Sequence, residues 1–256
     1  MQRKPISIDI EQYPEQFRPL LQKGALYDSS CSREARVIYI DADGGLFLKS
    51  APKGTLAREA ELTSYFGQKH LGAEVLAYHS DERDWLLTAR VHGEDCIHPD
   101  YLADPKRLCD TLAELLRDLH DRDASDCAVL HTPYYLASAE YGYRHGRIDL
   151  SYGDFATAED AWQFLQQNKH LLQTDTLLHG DYCLPNIILD NWSFGGFIDV
   201  GNGGVGDRHI DLFWGAWTLN FNLHTEAYRE RFFDAYGRDR VDLHRLRIVS
   251  AAEIFG

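Results

Sequence analysis

The 256-residue sequence predicts an α+β chain in two lobes: a small β-rich N-terminal lobe over residues 1–90 and a larger, mainly helical lobe over 91–256. Three observations predict it. Short apolar runs separated by turn residues crowd into the first 90 residues. After Gly93 the apolar positions recur with helical spacing instead. Only one later stretch, Thr176 to Val200, returns to strand-like runs.

In chain order, EQYPEQFRPLLQ (11–22) reads as a short helix interrupted by prolines. ARVIYI (35–40) and GLFLK (45–49) read as strands joined by the hairpin turn Asp41-Ala42-Asp43-Gly44. TLAREAELTSYFGQKH (55–70) reads as a helix, and 74–78 and 84–89 as two more strands around the turn 79–83. In KRLCDTLAELLRDLHD (106–121), Leu108, Leu112, Leu115 and Leu119 form one helical stripe with Leu116 beside it. Residues 158–171, 207–221, 225–236 and 241–254 also have helical patterns. TLLHGD, IILD and FGGFIDV are the late strands, separated by the loop 179–185 and the turn 191–193.

The length suffices for one large domain or two lobes with a real core, and a 44% hydrophobic, 26% charged composition is that of a globular chain. No apolar run approaches the roughly 18 residues needed to cross a bilayer, and MQRKPISIDIEQYPEQF has no apolar signal core. The expectation is a cytoplasmic protein with no membrane partner. Five cysteines, odd in number and without a C-x-x-C pair, read as reduced thiols. The twelve histidines show no paired zinc-ligand spacing. A net charge of −14 argues against nucleic-acid binding and is compatible with a cationic substrate. Nothing in the sequence indicates monomer or dimer.

The chemistry concentrates in LLHGDYCLPNIILD, Leu177 to Asp190. A loop acid, Asp181, is followed five residues later by an amide, Asn186, the D-x-x-x-x-N interval of phosphoryl-transfer loops. The acid must reach an attacking hydroxyl and take its proton, while the amide turns toward a metal ion on the phosphates. Asp199, eighteen residues after Asp181 in GGFIDVGNGG, stands at a strand end and reads as a second Mg²⁺ ligand. Gly201 to Gly206 satisfies G-x-G-x-x-G after a strand and before a helix. A dinucleotide-binding domain needs alternating βα units around that turn, and helix follows helix here, so the segment is expected to be flexible backbone after Asp199.

HGDYCLPNIILDNWSFGGFIDVGNGGVGDRHIDL resembles the aminoglycoside 3′-O-phosphotransferases, antibiotic kinases within the aminoglycoside/choline kinase-like family. The matching residues are His179-Gly180-Asp181, Asn186-Ile187, Gly196-Phe197-Ile198-Asp199, and Asp207 with Asp211; the acidic-aromatic Glu253-Ile254-Phe255 fits the family's C-terminal pattern. The resemblance implies a bilobal protein-kinase-like fold and Mg²⁺-dependent phosphorylation of a small cationic aminoglycoside by ATP, with GTP left open, as a resistance activity. Asp181 would be the catalytic acid-base residue, and Asn186 and Asp199 the metal ligands. Lys49 and Glu59 would be the ion pair that orders the phosphates, with Glu61 a neighbouring alternative to Glu59. Ser32, in the segment DSSCS that replaces a glycine-rich loop, would help cover the nucleotide, and backbone at Ala89 to Val91 would contact its base. Glu253 and Asp154 are the candidates for binding substrate cations. Two positions depart from the family: Asn202 stands where Arg is frequent, and Gly256 follows the aromatic Phe255. The alternatives are a kinase of choline, a sugar or a macrolide on the same fold, or a catalytically idle nucleotide-binding module.

Overall fold

Alternation of apolar and polar side chains sets the register of an antiparallel sheet in the N-terminal part. The computed structural model describes residues 4–31 and 35–256. In it β1 (Lys4–Pro5), β2 (Ala25–Asp28), β3 (Arg36–Asp41), β4 (Leu46–Pro52), β5 (Val75–Ser80) and β6 (Arg83–Ala89) stand in the order β1-β2-β3-β4-β6-β5. On one face Leu46 and Leu48 of β4 join Ile38, Ile40, Trp85 and Leu87 in a core that the segment with Tyr13, Phe17 and α1 (Arg18–Leu21) covers. The pleat turns the next residue, Lys49, to the opposite face. There Ala51 and Leu86 pack with Leu56 and Ala60 at the start of α2 (Ala57–Gln68). The hairpin turn is the expected one, with Asp43, Gly44 and Gly45 all at positive φ. Strands β1 and β2 were not anticipated; the first is only two residues long.

The chain divides into two units, one running to His92 and taking in Gly195–Gly201, the other comprising Gly93–Phe194 and Asn202–Gly256. Backbone bonding explains the first unit's added segment: the Phe197 N–H donates to the Leu71 carbonyl at 2.7 Å, and the Phe197 ring meets Phe66 edge-on.

The second unit holds β7 (Glu94–Asp95), α3 (Pro99–Leu102), α4 (Pro105–His120), α5 (Thr132–His145), α6 (Ala158–Asn168), β8 (Thr176–Leu178), β9 (Ile187–Asp190), β10 (Ser193–Phe197, continuing into the first unit), β11 (Gly204–Gly206), α7 (His209–Leu223), α8 (Arg229–Gly237) and α9 (Leu243–Glu253). Helix α4 buries Leu108, Leu112, Leu116 and Leu119, so the stripe runs through Leu116 rather than the half-buried Leu115. Helix α5 was not anticipated. Pro133 opens it and Gly146, at φ 70°, closes it, but its tyrosines obscure any clean apolar stripe. The glycine-rich stretch after Asp199 also differs from expectation. It forms a 3₁₀ turn at Val200–Asn202 and then strand β11, paired antiparallel with β8 through Gly204↔Leu178 and Gly206↔Thr176. Small residues fit because Gly204 faces the Val129 carbonyl, where a Cβ would be 2.5 Å away.

Two buried carboxylates at the start of α7 tie these pieces together. Asp207 accepts the backbone N–H groups of Gln173 at 2.7 Å and His209 at 2.9 Å, while its own N–H donates to Thr132 Oγ1 at the head of α5. Asp211, fully buried, accepts the N–H of His179 at 2.7 Å and of Gly180 at 2.8 Å. Its third donor is His120 Nε2, at 3.2 Å. Burial holds the His120 imidazole below its ordinary value; the neutral ring that donates from Nε2 accepts the Tyr236 hydroxyl at Nδ1, 2.8 Å away. Burial alone would raise the Asp211 carboxyl, yet the bonds from His120 and the backbone bring it below its ordinary value. Asp211→Ala would leave three buried donors unsatisfied and is expected to cost about 4 kcal/mol in urea denaturation. Asp211→Asn, which keeps one acceptor oxygen, is expected to lose less.

Candidate active site

In the first unit a single ammonium is held by two carboxylates. Lys49 Nζ lies 2.8 Å from Glu59 Oε1 and 3.1 Å from Asp199 Oδ1. Burial would lower the Lys49 ammonium, but Asp199 and Glu59 outweigh it and hold the group above its ordinary value, so it stays charged. Glu59 is placed by the start of α2, which lacks a cap of its own; the fully buried Asp84 of β6 accepts the Leu56 N–H at 2.9 Å instead. Glu61 is exposed on the same helix, which settles the pairing in favour of Glu59. Asp199 sits at φ 56°, a left-handed conformation that Asp tolerates better than most residues. Two residues on, Gly201 packs closely on Glu59: a Cβ there would stand 3.1 Å from the Glu59 Cβ.

Of the other expected nucleotide contacts, Ala89 closes β6 with its N–H donated to the Glu74 carbonyl at 2.9 Å, and Val91 is half-buried. Ser32 lies outside the described residues. Just before it, Ser30 is fixed by two bonds: its N–H donates to Asp28 Oδ1 at 2.9 Å and its Oγ accepts the Val37 N–H at 3.0 Å.

In the second unit the H-G-D loop is clamped on several sides. Asp211 holds the N–H groups of His179 and Gly180, the Tyr182 hydroxyl donates to the Leu112 carbonyl of α4 at 2.8 Å, and the Leu184 N–H donates to Thr218 Oγ1 of α7 at 3.1 Å. Gly180 is at φ 82° and a Cβ there would overlap the Asn202 carbonyl, so no other residue fits beside Asp181. Asn186 Nδ2 donates to the Asp181 carbonyl oxygen at 3.0 Å and to its carboxylate Oδ2 at 2.9 Å. The sequence predicts an amide turned toward a metal and away from the acid; in the structure its nitrogen instead bonds the acid itself.

Asp181 opens onto a cavity of about 220 Å³ whose walls include Tyr134, Tyr135, Asn202, Trp214, Glu253 and Gly256. Glu253 is almost completely buried, and its Oε1 accepts both the Tyr135 hydroxyl at 2.9 Å and the Trp214 indole N–H at 3.0 Å. Burial pushes the Glu253 carboxyl up to about 7, and Asp181 adds to the rise against the pull of those two donors. The structure therefore brings Asp181, Asn186 and Glu253 to this unit's pocket region, with Asn202 among the walls. It does not bring Asp154, which is exposed and ion-paired with Arg247 at 3.2 Å, away from the cavity walls. Sequence reasoning missed Tyr135 and Trp214: the first lies on the unanticipated α5, and the second is one aromatic among several on α7.

Among the described residues no group of three or more His, Cys, Asp or Glu could cage a metal. Amide and carboxylate oxygens, such as Asn186 offers in one unit and Asp199 in the other, are each of the donor type that Mg²⁺ takes.

Residues 32–249 match the APH family model, described as a phosphotransferase enzyme family. A probable aminoglycoside 3′-phosphotransferase of Lactococcus lactis subsp. lactis (strain IL1403) is 52% identical over 99% of this chain and 98% of its own. An aminoglycoside 3′-phosphotransferase of Niallia circulans is 30% identical over 78% of this chain and 80% of its own. Among solved structures, aminoglycoside phosphotransferase APH(3'')-Id from Streptomyces rimosus ATCC10970 superposes with a TM-score of 0.73 at 21% identity, over 98% of this chain and 100% of that one. The same enzyme in complex with ADP and streptomycin gives a TM-score of 0.68 at 22% identity, over 86% and 91%. The fold is thus the kinase-like α+β fold of these enzymes, and the chain belongs to the phosphotransferase enzyme family.

Proposed function

We propose that this phosphotransferase moves the γ-phosphoryl group of ATP, with Mg²⁺, onto the 3′-hydroxyl of an aminoglycoside and so confers resistance to it. The observation that carries the substrate class is the cavity at Asp181, which sets a second carboxylate, Glu253, into the wall beside the acid. A polycationic acceptor would supply the counter-charge that Glu253 lacks in a buried position. The 3′ position rests on the named activity of the relatives in Lactococcus lactis and Niallia circulans. In this reading the Asp181 carboxylate accepts the acceptor hydroxyl's proton as its oxygen bonds to the γ-phosphorus and the bond to ADP breaks. Asn186, through its Nδ2 bond, keeps that carboxylate from rotating. Lys49, kept charged and oriented by Glu59, would bind phosphate oxygens, and Asn186 and Asp199 would hold Mg²⁺, which neutralises charge on the transferring group.

Asp181→Ala is expected to lower turnover by about 10²- to 10⁴-fold with ATP binding retained, read by a coupled ADP-release assay. An aminoglycoside without a 3′-hydroxyl should be a poor substrate; turnover equal to that of kanamycin would refute the regiochemistry.

Glu253 makes a second, pH-dependent expectation. Its carboxyl is raised from the ordinary 4.5 to about 7, so the folded protein retains a proton that the unfolded chain sheds. The stability this gives is full below pH 4.5 and is lost as pH rises through about 7. Glu253→Gln is therefore expected to stabilise the fold at pH 8, by on the order of 3 kcal/mol. Function runs the other way. Wild-type kcat/KM for a cationic acceptor should fall as pH drops through about 7, and Glu253→Gln should lack that inflection and show about a tenfold higher KM at pH 8.

A further inference from the structure

From an aromatic ring in the wall of the Asp181 cavity two more rings continue along α7, with a fourth at their side. Trp214, the donor to Glu253, lies in that wall and meets Trp217 at a centroid distance of 5.3 Å. Trp217 in turn stacks on Phe221 at 4.9 Å and 12°, nearly parallel. Positions 214, 217 and 221 share one face of α7, so the ladder runs about 10 Å along the helix from the cavity wall. Tyr152 flanks its inner half, 5.7 Å from Trp214 and 6.2 Å from Trp217. The outer rung, Phe221, is 61% exposed near the end of α7, a position where a polar side chain would cost nothing. Trp217 is half-buried.

A row of rings with one member in a cavity wall and another open to solvent has the chemistry of a carbohydrate platform. The C–H face of a sugar ring packs on flat aromatic surface, and its ammonium substituents are drawn to the negative ring faces. The local field has the matching sign. Burial raises the Tyr152 phenol, and the carboxylates of Asp149 and Glu253 raise it further.

We infer that Trp217 and Phe221 form an accessory subsite for an aminosugar ring of the acceptor remote from the ring that Asp181 phosphorylates, so that α7 selects acceptors by their number of rings. The inference rests on the aminoglycoside reading above. It makes Phe221 a specificity-determining residue without contact to the reacting atoms.

The test compares wild type, Phe221→Ala and Phe221→Tyr with a two-ring acceptor, neamine, and larger acceptors, kanamycin and neomycin, by steady-state kinetics and by isothermal titration. Phe221→Ala should raise KM and Kd for the larger acceptors about three- to fivefold at unchanged kcat, leave neamine unaffected, and be rescued by Phe221→Tyr. Because the residue is surface-exposed, thermal denaturation should report an intact fold. Equal shifts for both acceptor classes, or none for either, would overturn the subsite while leaving the aminoglycoside reading intact. Failure of the wild-type protein to phosphorylate or bind any of the three would instead overturn that reading, and the subsite with it.

Discussion

The geometry of the H-G-D loop depends on a single buried anion, Asp211. A carboxylate without water is unfavourable unless its lone pairs are filled, and here two backbone N–H groups and one imidazole N–H fill them. The compensation works in both directions. The anion needs the loop's amides, and those amides, removed from strand β8 by the turn at Gly180, need an acceptor. His120 and Tyr236 extend the chain of donors and acceptors to α4 and α8. Asp207, four residues earlier, does the equivalent for the heads of α5 and α7. Asp181 thus stands on a backbone fixed from three helices, the support that its proposed acid-base role requires.

The first unit solves a different problem, that of keeping one half-buried lysine charged and fixed in place. Lys49 is surrounded by Glu59 and Asp199, which come from a helix and from a segment far along the chain. Asp84, capping α2 from β6, and Phe197, bonded to Leu71, are the backbone supports for those two acids.

Much of this was legible before any coordinates. The strands around Lys49 and the helices from 106 onward follow from periods of two and three to four residues, and their limits fall close to those expected. The spacing of Asp181, Asn186 and Asp199 pointed to phosphoryl transfer, and the family resemblance carried by those motifs singled out Lys49 and Glu59. What stayed hidden has physical reasons. Helix α5 carries Tyr134, Tyr135, Tyr141 and Tyr143 around its surface, so no apolar stripe marks it, and its caps alone were not read. Strand β11 is mostly glycine, residues that favour no strand by themselves; pairing with β8 and close approach to Val129 decide it. Asp154 looked like a substrate ligand because a loop acid is expected to be available, but Arg247 takes it. The two donors to Glu253 come from helices about 118 and 39 residues away in sequence, and such long-range partners leave no local pattern.

The burial of Glu253 beside Tyr135 and Trp214 has a consequence for the traffic of protons. A carboxyl that changes charge near neutrality cannot accept a proton and a substrate ammonium at the same time. In the proposed reading hydronium is therefore a competitor for the acceptor cavity, and each ammonium that settles against Glu253 in mildly acidic solution expels a proton to do so. Acidification would then slow the drug's inactivation, because a protonated Glu253 offers an incoming ammonium no counter-charge.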